Sequence, residues 1–116
     1  MHVPDMELLW WSGCPSTDRA LSELRATLRD AGISNADIRM TEIRSEEEAQ
    51  ARAFVGSPTI LVDGEDVAPP SEESVGLNCR VYRRPDGTVS PTPGPETLRE
   101  ALRRARERTT HQEVTR

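Results

Sequence analysis

Two hydrophobic periods alternate along the chain. Glu7–Trp11, apolar from Leu8 onward, ends at Ser12-Gly13 and predicts a buried strand meeting a turn. Pro15 follows where the first helical residue would stand, a position that tolerates a missing N–H. Leu21, Leu24, Leu28 and Ala31 then recur at helical spacing, with Arg19, Arg25, Arg29 and Asp30 on other faces, and Gly32 marks the stop. A second extended segment, Asp37–Ile43, takes its apolar positions from Ile38, Met40 and Ile43. Ser45 and Glu48 form an S-x-x-E capping box that opens a short helix through about Phe54, broken by Gly56-Ser57-Pro58. Thr59–Val62 is a β-branched run closed by Asp63-Gly64, a hairpin-type turn signal. Residues 65–78 are acidic and carry Pro69-Pro70, so they read as a long loop. Cys79–Arg83 alternates as a strand, ended by Pro85-Asp86-Gly87. Pro91, Pro93, Gly94 and Pro95 lead into a last helix carried by Leu98, Ala101, Leu102 and Ala105, with residues 109–116 expected to fray.

The order is β-α-β-α-β-β-α, an α/β domain with three helices and a four-stranded mixed sheet. The strand–helix–strand start predicts a parallel pair, and the later strands an antiparallel one. One hundred and sixteen residues suffice for one core, and 1–116 is read as a single domain. No run approaches the roughly 20 apolar residues of a membrane helix, and no secretory signal pattern is visible, which predicts a cytoplasmic protein without a membrane partner. Twenty acidic residues against fifteen arginines leave a net charge of −5, which argues against nucleic acid. The late arginines, Arg99 to Arg108, interleave with Glu100 and Glu107 and read as a solvated helix face. Two cysteines make neither a disulfide scaffold nor a four-cysteine zinc site. The chemistry therefore rests on one thiol or two.

Cys14 stands just past a strand end and directly before Pro15, where helix N–H groups and the macrodipole favour a thiolate. A thiolate is both a nucleophile and a soft-metal ligand. The segment Trp11-Ser12-Gly13-Cys14-Pro15-Ser16-Thr17 resembles the active-site segment of the thioredoxin superfamily, and Gly56-Ser57-Pro58-Thr59 resembles its second marker, a cis-proline before the third strand. The resemblance implies a thioredoxin-like fold, with Cys14 as nucleophile and Pro58 facing it. Trp11, Ser57, Thr59 and Tyr82 are then candidates for contacting a substrate. It also exposes a departure: Thr17 occupies the place of the resolving cysteine, so a C-x-x-T site cannot release a mixed disulfide by the usual internal route.

Cys79 is the other candidate thiol. Together with Arg80-Val81-Tyr82, it makes the chain similar to small actinobacterial thioredoxin-like proteins, some labelled alkylmercury lyase. Organomercurial lyases use two cysteines and an aspartate, and here Cys14 and Cys79 could supply the thiols. Thr17 stands where the aspartate would, with Asp18 one residue late. Three functions stay open: thiol–disulfide exchange at Cys14 with a small thiol or protein disulfide as partner, a soft-metal or organomercurial site on Cys14 and Cys79, and a redox-inactive binding protein. No resident cofactor is expected, although a low-molecular-weight thiol could serve. Antiparallel pairing of Cys79–Arg83 with the third strand would bring Tyr82–Arg84, rather than Cys79, near Cys14. A direct bridge needs Cα atoms within about 7 Å. Arg80, Arg83 and Arg84 read either as solvated strand-edge residues or as ligands for the carboxylates of a thiol cofactor. His2 and His111 lie near the chain ends with no role assigned. The 65–78 loop is expected to follow the sheet edge without crossing the Cys14–Pro58 face, leaving the thiol open to a large partner.

Overall fold

A computed structural model describes residues 4–33, 37–69, 75–84 and 86–114, with side chains described as far as Glu107. The first strand, β1 (Met6–Trp10), is the centre of the molecule because its alternate side chains enter two separate cores. Met6 and Leu8 pack with Leu24 and Leu28 of α1 (Thr17–Asp30) and with Leu98 and Leu102 of α3 (Pro95–Val114). Leu9 points to the opposite face, against Ile43, Phe54 and Ala49 of α2 (Glu46–Arg52). The period-2 alternation of a strand thus builds three layers, with α1 and α3 on one side of the sheet and α2 on the other.

The sheet has the order β2-β1-β3-β4, where β2 is Ile38–Glu42, β3 Thr59–Val62 and β4 Glu65–Asp66. β1 runs parallel to β2, with Leu8 opposite Met40, and antiparallel to β3, with Leu8 opposite Ile60. β3 turns into β4 through Asp63-Gly64, both with positive φ (52° and 81°). That is the geometry of a type I′ hairpin turn, which glycine adopts without a Cβ penalty. The chain is therefore an α/β protein with three helices and a four-stranded mixed sheet.

The fourth strand is not the segment that the sequence pattern nominates. Glu65–Asp66, inside the expected 65–78 loop, fills that place because the Asp-Gly turn returns the chain at once. Val67 is buried against the α1/α3 core, so the loop's first residues belong to the sheet edge. Tyr82–Arg83 (β5) instead pairs with Val89–Ser90 (β6) in a separate hairpin. Cys79 makes an isolated parallel bridge to Ser57.

Helix boundaries shift less. α1 starts at Thr17, capped by the backbone of Ser16, so Pro15 lies in the preceding turn rather than at the first helical position. Its buried face includes Ala20 and Thr27, whose hydroxyl donates to Glu23 O at 2.8 Å, while Ala31 is exposed beyond the helix. α2 has the expected Ser45 cap, with Oγ accepting from the Glu48 N–H, and stops at Arg52 because Ala53 turns left-handed. α3 runs to Val114, past the point where fraying is expected. No helix among the described residues is long and apolar enough to cross a membrane.

Candidate functional site

Cys14 sits in the tight turn between β1 and α1. Its N–H donates to Trp11 O at 3.1 Å, which closes the turn. Trp11 is half-buried and lays its indole over Gly13, where a Cβ would meet the ring and force it to shift. The Cys14 thiol is buried and donates to Ser57 O at 3.4 Å. Ser57-Pro58 is a cis peptide bond. The turn after β1 and the loop before β3 therefore meet at the sulfur, as expected for Cys14 and Pro58.

Cys79 also reaches this point, contrary to the antiparallel-strand expectation. Ser57 N–H donates to Asn78 O at 2.7 Å, and Arg80 N–H donates to Ser57 O at 2.8 Å, so residues 78–80 lie alongside the Ser57 loop. The end of the 65–78 loop thus crosses the Cys14–Pro58 face instead of staying at the sheet edge. Cys79 is exposed, and it lines one groove together with Cys14. The neighbouring Cys14 pushes the Cys79 thiol above the ordinary thiol range, with burial acting in the same direction. Both cysteines are reduced.

Arg80 holds this crossing in place, and neither role expected for it applies. Its guanidinium is turned inward, with the side chain 1% exposed, and pairs with Asp66 Oδ2 at 2.8 Å. It also donates to Thr59 Oγ1 at 3.2 Å and to Ala68 O, and it lies 4.5 Å over the Tyr82 ring. The only bait in the sequence is the alternation of Arg80 and Tyr82, which reads equally well as a strand with outward arginines. Arg83 is exposed, whereas Arg84 Nη2 donates to Thr92 and lies 3.9 Å from Glu23.

The substrate-contact candidates divide. Thr59 is buried, with its hydroxyl donating to Gly56 O at 2.6 Å. Tyr82 is buried and donates to Pro58 O, and burial pushes its phenol far above the usual range. Both hydroxyls are thus engaged inside the protein, where they brace the Pro58 loop. Ser57 Oγ and Thr17 Oγ1 are buried and have no partner. Asp18 is exposed on the first turn of α1. The side chains of His2 and His111 lie outside the described residues.

A groove of about 280 Å³ opens over the two sulfurs. Its exposed walls are Pro15, Val81, Val89 and Pro91, none of which the sequence nominates as a site residue. The valines are missed because a lone exposed valine leaves no signal in hydrophobic period. Among the described residues no cluster of three or more histidine, cysteine or acidic side chains could hold a metal ion. No protein-family model, curated protein or solved structure matches the chain.

Proposed function

We propose that the protein carries out thiol–disulfide exchange with Cys14 and Cys79 as its redox pair. The observation that carries this reading is the convergence of both cysteines on Ser57: Cys79 bridges to it, its carbonyl accepts from the Cys14 thiol, and both line one groove. Cys79 supplies the second sulfur that Thr17 withholds, which favours exchange over a redox-inactive binding role. The strand order β2-β1-β3-β4 and the cis Ser57-Pro58 bond beside Cys14 support reading the chain as a thioredoxin-like protein.

The step balances as a two-electron exchange. The Cys14 thiolate attacks one sulfur of a substrate disulfide, forming a mixed disulfide and expelling the other sulfur as thiolate. Cys79, the thiol that holds its proton more tightly than an ordinary thiol, passes that proton to the departing thiolate. Its own sulfur then attacks Cys14, forming a Cys14–Cys79 bridge and releasing the second substrate thiol. The substrate is reduced by two electrons and the protein dithiol is oxidised by two.

Intact-mass and peptide analysis after reaction with a model disulfide test the scheme. Wild type should lose two hydrogens and yield a Cys14–Cys79 cross-linked peptide. Cys79→Ser should stop at a stable Cys14 mixed disulfide, and Cys14→Ser should not cycle. Turnover unchanged in Cys79→Ser would reject the pair.

Two adjacent reduced thiols also support a second reading, a two-coordinate site for a soft cation such as Hg²⁺. Carbon–mercury cleavage would need an acid beside the sulfurs, and exposed Asp18 does not form a cluster with them. Mercury titration separates the readings: equal affinity in wild type and Cys79→Ser rules out the two-thiol site.

A further inference from the structure

Resting on the exchange reading, we propose that the groove over Cys14 and Cys79 selects small, uncharged, apolar disulfides and discriminates against anionic thiol cofactors. Three observations carry this. The exposed walls, Pro15, Val81, Val89 and Pro91, present hydrocarbon, with Val81 60% and Val89 62% exposed. Apart from Met40 on β2, these valines are the exposed large hydrophobic residues of the described chain, and both border one groove.

The second observation is charge. Arg80 is the one cation among the lining residues; its side chain is 1% exposed, and its two terminal nitrogens are committed to Asp66, Thr59 and Ala68. No other charged side chain lines the groove, and the chain's net charge of −5 opposes anions further. Burying an unpaired carboxylate against these walls would be costly, whereas an alkyl or aryl group gains by covering them.

The third observation is backbone. Ser57, the residue whose carbonyl accepts from Cys14, has its N–H and C=O taken by Asn78 and Arg80. An extended peptide therefore cannot add as a strand at Ser57 and must be recognised, if at all, through side chains. About 280 Å³ suits a small molecule rather than a long peptide segment. The sulfurs supply the attachment and the walls supply the selection.

The test compares rates of protein thiol loss with a neutral dialkyl disulfide and with oxidised glutathione, using dithiothreitol as a reference that has no groove. The dialkyl-to-glutathione rate ratio should exceed the reference ratio by about tenfold, the size of discrimination an apolar pocket gives. Val89→Asp and Val81→Asp, both at exposed positions, should each return the ratio to the reference. A wild-type ratio equal to the reference overturns the proposal while leaving exchange intact, because the bridge still forms. A raised ratio unmoved by either variant also overturns it. Failure of both probes to form the bridge overturns the exchange reading and the proposal together.

Discussion

An arginine side chain has five N–H donors and one charge, and at position 80 the charge and three donations are spent inside the protein. Removing it takes the ion-pair partner from Asp66 and releases the segment carrying Cys79. Arg80→Ala should cost about 3 kcal/mol in denaturant unfolding, the scale for breaking a buried ion pair. It should also slow Cys14–Cys79 cross-linking. Lysine should rescue poorly, since one ammonium cannot reach Asp66, Thr59 and Ala68 in the same fork geometry. Ala53 offers a change of opposite sign. It is exposed with φ 51°, a conformation that costs a residue with a Cβ roughly 1 kcal/mol. Ala53→Gly should raise the denaturation midpoint by a corresponding amount. At this scale the sequence reveals Cys14 and Pro58 through local motifs. Arg80's inward turn depends on Asp66 and Ala68, which no local pattern connects to it.

Glu7 joins three elements, and the pattern of β1 alone does not reveal this. Buried in the middle of the strand, it accepts from Thr41 of β2 at 2.6 Å and from Arg52 of α2 at 2.7 Å, with Arg39 of β2 at 3.6 Å. Burial by itself would raise its carboxyl, but the Arg52 and Thr41 hydrogen bonds, with the charges of Arg52 and Arg39, outweigh that and hold it below the usual 4.5. A carboxylate depressed on folding stabilises fully at neutral pH. That stability is lost as acid carries the pH below about 4.5 and through the depressed folded value. Glu7→Gln should therefore cost roughly 1–3 kcal/mol at pH 7, and the gap to wild type should close in acid. Urea titrations at pH 7, 5 and 3 check the slope. The hairpin shows the reverse case of legibility. The Asp63-Gly64 turn is explicit in the sequence, but its two-residue return strand is too short to carry a period. The next alternating run, Cys79–Arg83, takes its place in a pattern-based reading.

Across the whole molecule, the sheet separates two cores that share few side chains. Among the described residues thirteen buried hydrophobic side chains fill the α1/α3 side, and four (Leu9, Ile43, Ala49 and Phe54) fill the α2 side. Ile60→Val and Ile43→Val remove one methylene from opposite faces and should each cost about 0.5–1.5 kcal/mol. Their double mutant should match the sum within about 0.5 kcal/mol in chemical denaturation. Layer architecture is legible in the sequence because helical and strand periods are long-wavelength signals. The arrival of residue 79 beside 14 and 57 is not, because it depends on how a loop returns across a face.

The backbone ladder between Ser57 and residues 78 and 80 has a consequence for how this site could be rebuilt. Asn78 and Arg80 hold the segment through main-chain groups, so the residue between them presents its side chain to Cys14 without anchoring the strand. Position 79 behaves as a socket whose occupant can be exchanged while its mounting stays fixed. A serine there would leave a lone thiol, an aspartate would set an acid beside the sulfur, and a histidine would set a base. One codon would then move the same scaffold between redox, acid-assisted and hydrolytic chemistries.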